Sequence, residues 1–148
     1  MNKNEFDQLR KLPGKTIIDD ITFSLKRGSG ADNLVFDPIT VANSLDHEVL
    51  LNGTYKPSIP SVTFNFVLRG TGPICRVCVN GVIHKDVGRH HKHEFTAETD
   101  PAGNLPFAIA RQDLKGKSVT EVWQILCKEA NISHTGTFHA PDLEGNPQ

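Results

Sequence analysis

The sequence predicts an α+β fold, in which an antiparallel β-sheet of five to seven strands carries a C-terminal helix on one face and a short N-terminal helix precedes the sheet. Two observations lead to this prediction. Apolar and polar residues alternate through the middle of the chain, and apolar residues recur at helical spacing near its end. The chain has 148 residues, which suits one such domain. We therefore expect a single domain over residues 1–132 and a flexible polar tail over 133–148.

Both helices are predicted from the residues at their ends. Residues 2–11 are expected to be helical, because Asn2 and Glu5 have the spacing of a capping box. The C-terminal helix is expected to begin after Ser118, which has the same spacing to Glu121. The apolar residues at helical spacing are Val119, Val122, Trp123, Leu126 and Ala130.

Period-two alternation and turn residues predict the strands. Strands are expected at 21–25, 61–69, 76–79, 82–85, 89–97 and 105–110, with shorter apolar runs at 34–36 and 49–51. The clearest is 61–69, in which every second residue is apolar. Asn80-Gly81 predicts a two-residue hairpin turn, which would pair Val77 with His84 and place the valines on the core face.

Composition limits the classes of function. The formal net charge of −1 argues against a general nucleic-acid coating protein, although a local patch can still bind phosphate. No apolar stretch reaches the length of a membrane span, and the N-terminus lacks the apolar region of a signal peptide. We expect a cytoplasmic protein with no membrane partner, no cofactor and three free thiols.

Histidine residues are concentrated in one short segment. Four of the seven lie within residues 84–93. They are His84, His90, His91 and His93. The cationic residues among them are Lys85, Arg89 and Lys92. This segment is therefore a local positive patch in a nearly neutral chain, and on a strand His91 and His93 would share one face.

One interpretation of this segment is binding of RNA or another phosphodiester, with metal-independent cleavage. One imidazole would act as a base on the ribose 2′-hydroxyl and another as an acid on the leaving oxygen. The candidate catalytic residues are His84, His91 and His93. The candidate substrate-binding residues are Lys85, Arg89, Lys92 and His90, which would hold the phosphate.

Three alternatives remain open. The protein could be a non-enzymatic inhibitor or accessory protein that binds an acidic protein partner through the same patch. It could instead bind a metal, because His91-x-His93 with Glu98 is similar to part of the first cupin motif. The leading glycine of that motif and its later Gly-x-x-His element are missing. A solvated sheet edge without a ligand also accounts for these residues.

Several short motifs between Cys75 and Ile132 occur in a recognisable order. They are Val79-Asn80-Gly81, His84, His91-Lys92-His93 and the segment from Cys127 to Ile132. This order resembles a family of small bacterial proteins of unknown function with a His…His-x-His strand motif. The chain departs from that family after His93 and at the end of the last helix. The resemblance implies a toxin-like or defence-related role by association, and it leaves the reaction and the oligomeric state open.

Overall fold

The computed structural model describes residues 1–25, 33–81, 88–94, 105 and 108–142. Within these residues the chain forms two α-helices and eleven β-strands. The helices are α1 (Lys3–Lys11) and α2 (Val119–Glu129). The strands are β1 (Lys15–Ile17), β2 (Ile21–Thr22), β3 (Ser24–Leu25), β4 (Leu34–Val41), β5 (Val49–Lys56), β6 (Ser61–Leu68), β7 (Gly72–Val79), β8 (His91–Glu94), β9 (Ala108–Ala110), β10 (Ile132–His134) and β11 (Phe138–His139).

Seven of these strands form one antiparallel sheet, in the order β3-β4-β5-β6-β7-β8-β9. The alternation that predicts a strand at 61–69 is observed in β6, where every second side chain is buried. The predicted α+β class is confirmed, with the sheet at the upper end of the predicted number of strands.

Helix α2 packs on one face of this sheet. It begins with the predicted capping box: the Ser118 hydroxyl accepts from the Glu121 N–H at 3.1 Å, and the Glu121 carboxylate accepts from the Ser118 N–H at 3.0 Å. The Trp123 ring on this helix lies 5.3 Å from the Phe64 ring of β6, measured between ring centroids. This contact identifies the face of β6 and β7 that belongs to the core.

Helix α1 is fixed at both ends by local hydrogen bonds. The Asn2 side chain accepts from the Glu5 N–H at 2.8 Å, as the spacing predicts. At the other end, the Lys15 ammonium donates to the carbonyls of Leu9, Arg10 and Leu12 at 2.6–2.9 Å. These bonds satisfy carbonyls that a helix end leaves without partners. No helix among the described residues is long and apolar enough to cross a membrane.

Residues 133–142 belong to the fold, which corrects the prediction of a flexible tail over 133–148. Strand β10 pairs in parallel with β1, and β11 pairs in parallel with β2. The Phe138 ring stacks on Trp123 with centroids 5.8 Å apart and an interplanar angle of 14°. Strands of two and three residues contain too few alternating positions to produce a periodic signal. Residues 143–148 lie outside the described part of the chain.

The turn at Asn80-Gly81 leads to a different pairing from the predicted one. Asn80 has the positive φ of 59° that such a turn uses. However, Val77 pairs with Phe64 on one side and with Lys92 on the other, so the predicted pairing of Val77 with His84 is wrong. The Gly81 N–H donates to the Arg89 carbonyl at 3.1 Å instead. Residues 82–87 lie outside the described residues.

Candidate functional site

His91 and His93 share one face of β8, as predicted, and that face is buried. Their side chains are opposite Cys78 and Arg76, on the side of the sheet away from α2. Only 2% of His91 and 3% of His93 is exposed. The two rings meet edge to face, with centroids 4.9 Å apart. The sequence predicted the shared face but not the burial.

Main-chain carbonyl groups hold both imidazoles in place. The His91 Nδ1 donates to the Gly88 carbonyl at 3.2 Å, and the His93 Nδ1 donates to the Leu105 carbonyl at 3.0 Å. Leu105 is itself buried, with 1% exposed. A general acid or base must reach its substrate, and these two side chains present almost no surface to one. Their environment is that of structural residues inside the fold.

Lys92 lies on the opposite face of β8 from these two histidines. Strand alternation points it to the side of α2, where its ammonium lies 3.0 Å from a carboxylate oxygen of Glu94. The side chains of Lys92 and Glu94 are 12% and 16% exposed. The predicted grouping of Lys92 with His91 and His93 around one phosphate is therefore wrong, because the sheet separates them.

Arg89 and His90 lie together at the start of β8. Arg89 is exposed, and its guanidinium donates to the Gly81 carbonyl at 3.2 Å. The Asn80 N–H donates to Nδ1 of His90 at 3.1 Å, so the proton of the neutral ring is on Nε2. Burial lowers the pKa of His90, and the charges of Lys115 and Arg89 lower it further.

Lys115 is a residue near this site that the sequence did not indicate. It follows the short 3-10 turn Gln112–Leu114, which Arg111 separates from β9. The Arg111 N–H donates to the His90 carbonyl at 2.8 Å and so brings the end of β9 to the start of β8. From the sequence, Lys115 could have been placed near His90 only by pairing the predicted strand at 105–110 with the predicted strand at 89–97.

Three predicted site residues lie outside the described part of the chain, namely His84, Lys85 and Glu98. Their roles remain predictions, and so does the cupin-like metal site that would need Glu98. Among residues 1–25, 33–81, 88–94, 105 and 108–142, no three His, Cys, Asp or Glu side chains are grouped to hold a metal ion.

All three cysteines are free thiols, as predicted. Burial raises the pKa of Cys75 and of Cys127 to about 12, and it also raises the pKa of Cys78. A raised pKa keeps these side chains in the thiol form near neutral pH, whereas the thiolate is the nucleophile. The structure therefore favours packing roles for them.

Comparisons with known proteins assign no function to this chain. No protein-family model, curated protein or solved structure matches it. A function therefore has to be inferred from the geometry of the described residues.

Proposed function

We propose that the protein binds RNA or another phosphodiester, without cleaving it, through a basic patch formed by Arg89, His90 and Lys115. The observation that carries this proposal is that two exposed cationic side chains, Arg89 and Lys115, lie close enough to the His90 imidazole for their charges to lower its pKa. Among the residues that the structure describes, neither Arg89 nor Lys115 forms an ion pair with a carboxylate. Both charges therefore remain available to an anion.

The chemistry of the patch suits phosphate. An arginine guanidinium donates two parallel hydrogen bonds to phosphate oxygens, and a lysine ammonium adds a second positive charge. A bound phosphate would also favour the protonated form of His90, which the unliganded patch disfavours. A phosphodiester is preferred over an acidic protein because the three residues of the patch are all polar, and a guanidinium beside an ammonium suits a phosphate group directly.

Binding without cleavage is supported by the burial of His91 and His93. Metal-independent cleavage needs two acid–base groups on the same exposed phosphate. These two imidazoles are covered, and each Nδ1 is engaged by a main-chain carbonyl. The proposal therefore keeps the predicted ligand and two of its predicted contacts, Arg89 and His90, and adds Lys115.

The test is fluorescence anisotropy of a short labelled single-stranded RNA at low salt. We expect saturable binding that weakens at least tenfold in the double variant Arg89→Gln, Lys115→Gln. The slope of log affinity against log salt should become shallower by about 0.7 for each phosphate that the variant no longer neutralises. The matched control is the double variant Lys11→Gln, Lys128→Gln, which removes the same charge from two other exposed lysines.

Three results would contradict the proposal. Equal affinity of the patch variant and the control variant would show that the patch does not bind the RNA. Cleavage of the RNA in EDTA by the wild type, abolished in a His91→Ala, His93→Ala variant that circular dichroism shows to be folded, would show that the site is catalytic. Capture of an acidic protein that needs Arg89, with no RNA binding, would favour the accessory-protein alternative.

A further inference from the structure

The turn that connects β5 to β6 lies beside the basic patch. It comprises residues 57–60 and displays Ile59, whose side chain is 47% exposed. Single exposed apolar side chains are common on protein surfaces, so exposure alone assigns no role to Ile59. What distinguishes this side chain is its position next to the cations of the patch, which the hydrogen bonds around Asn80 establish.

Asn80 holds the 57–60 turn against the patch. Its side-chain amide donates to the carbonyl of Ile59 and, at 3.4 Å, to the carbonyl of Pro60. Its main-chain N–H donates to Nδ1 of His90 at 3.1 Å. One residue is therefore bonded both to the turn that carries the exposed isoleucine and to the imidazole of the patch.

Gly81 gives a second indication that the turn and the patch are close. A Cβ at position 81 would lie 3.9 Å from the Ser61 hydroxyl oxygen and 3.9 Å from the Arg89 carbonyl oxygen. Ser61 is the first residue of β6 and directly follows the turn. The Arg89 guanidinium donates to the carbonyl of the same glycine at 3.2 Å. The end of the turn and the arginine of the patch are therefore both neighbours of Gly81.

A further cation precedes the turn. Lys56 is the last residue of β5, is exposed, and forms no ion pair within the described part of the chain. The Ile59 N–H donates to the Lys56 carbonyl at 3.3 Å, which closes the turn. Surfaces that bind single-stranded nucleic acids combine cations for the phosphates with side chains on which bases pack. The turn and the patch together have this composition.

We propose that the ligand of the basic patch is a single-stranded nucleic acid, one unpaired base of which packs on Ile59 while Arg89 and Lys115 hold its phosphates. This inference rests on the proposed function, because it adds a base contact to the phosphate contacts of the patch. The faces of the bases are stacked on one another in a duplex, so an apolar side chain reaches them without unstacking only in a single strand. A single strand is therefore the phosphodiester that uses both the turn and the patch.

The test is fluorescence anisotropy with three labelled probes: a single-stranded RNA, the same RNA in a duplex, and an abasic strand with the same number of phosphates. We expect the single-stranded RNA to bind about fivefold or more tightly than the abasic strand, which carries the same charge. Ile59→Ser should remove most of this difference and leave the affinities for the abasic strand and the duplex unchanged. Ile59→Tyr should strengthen binding of the single-stranded RNA, because an aromatic ring stacks on a base. Neither substitution changes a charge, so the salt dependence of binding should stay the same.

The matched control is Leu45→Ser. Leu45 is also 47% exposed, and it precedes β5, whereas the 57–60 turn follows that strand. The control should leave all three affinities unchanged, and circular dichroism melting curves check that each variant is folded.

Three results would overturn the inference alone. They are equal effects of Ile59→Ser and Leu45→Ser on the single-stranded RNA, equal weakening of the duplex and the single strand by Ile59→Ser, and equal binding of the abasic strand and the RNA by the wild type. In each case the proposed function stands if the Arg89→Gln, Lys115→Gln variant still binds RNA more weakly than the wild type. RNA binding that does not depend on Arg89 and Lys115 would overturn both.

Discussion

Two buried imidazoles illustrate how single residues act in this protein. A polar group inside a fold is stable only when it is hydrogen-bonded, and the cost of leaving it unpaired is about 1–3 kcal/mol. His93 meets this condition by donating to the Leu105 carbonyl at 3.0 Å. Because Leu105 is buried and precedes β9, this bond joins β8 to a residue outside the strands. We therefore expect His93 to stabilise the fold.

Replacing His93 by alanine tests this structural role. The His93→Ala variant should lower the free energy of unfolding by about 2–3 kcal/mol, because it removes a buried ring and that ring's hydrogen bond to the Leu105 carbonyl. Urea denaturation measures the change. His139→Ala is the control, since His139 is exposed and its loss should change stability by less than about 0.5 kcal/mol. Equal stability of the two variants would contradict the role.

At the scale of elements, the sequence predicts what local chemistry determines. The caps of both helices depend on hydrogen bonds between residues three positions apart, so Asn2 and Ser118 could be identified in advance. The strand at 61–69 could also be identified, because the sheet buries one of its faces and leaves the other more exposed. These features need no information about distant parts of the chain.

Strand partners depend on the whole fold and could not be predicted in the same way. Residues 21–25 alternate like one strand, yet β2 pairs with β11 and β3 pairs with β4. The alternation of β8 correctly separates His91 and His93 from Lys92, but it does not say which face will be covered. The sequence therefore predicted that His91 and His93 share one face of a strand, but it did not predict that this face is buried.

Arg111 connects three elements through one guanidinium. It donates to Asp113 in the 3-10 turn at 2.9 Å through two bonds, and to Glu129 on α2 at 3.0 and 2.8 Å. Its own position is directly after β9. Bidentate bonds between charged groups are among the stronger polar contacts in proteins. The Arg111 hydrogen bond also holds the pKa of Asp113 below the ordinary value of 3.8.

The Arg111→Gln variant should lose about 1–2 kcal/mol of stability near neutral pH. The pKa of Asp113 is lower in the folded state than in the unfolded state. The stabilisation that ionised Asp113 provides is therefore present above its unfolded-state pKa, and it is lost as the pH falls through its folded-state pKa. The stability difference between wild type and variant should therefore shrink on acidification. Urea denaturation at a series of pH values from neutral to acidic measures the stability difference. An NMR titration of the Asp113 carboxyl group measures its pKa in wild type and variant.

A matched control for Arg111→Gln is Arg69→Gln. Arg69 pairs with Glu48 at 3.3 Å, and both side chains are largely exposed, at 75% and 67%. Exposed ion pairs contribute little, so this variant should be nearly as stable as the wild type. Two outcomes would contradict this role of Arg111. One is an equal loss of stability in Arg69→Gln and Arg111→Gln. The other is an Asp113 pKa that does not rise toward 3.8 in the Arg111→Gln variant.

At the scale of the whole molecule, the two ends of the chain close the fold together. The Thr135 N–H donates to the Ile17 carbonyl at 2.9 Å, and the Ile21 N–H donates to the Thr137 carbonyl at 2.9 Å. Phe138 adds its ring to the cluster around Trp123 and Phe64. The core is therefore incomplete until residues near the C-terminus have joined residues near the N-terminus, which is a contact of very high sequence separation.

Gly136 is the residue at which this closure can be tested. A Cβ at position 136 would lie 2.3 Å from the Asp19 carbonyl oxygen and 2.8 Å from that of Ile18. Because both contacts are backbone atoms, no side-chain rotation can relieve them, and the two chain ends would have to separate. We expect Gly136→Ala to lower stability by at least about 2 kcal/mol. The hydrogen exchange of the Ile21 and Thr135 amides should also become faster.

Gly81→Ala is the appropriate comparison, because a Cβ at position 81 meets nothing closer than 3.5 Å and leaves the chain ends untouched. It should be close to wild type in stability, and its Ile21 and Thr135 amides should remain protected. If Gly136→Ala lost stability without faster exchange at these amides, the substitution would disturb another part of the fold, and the prediction that the chain ends separate would be wrong. Faster exchange there, with β6 still protected, would show that the ends of the chain open as a unit before the sheet does.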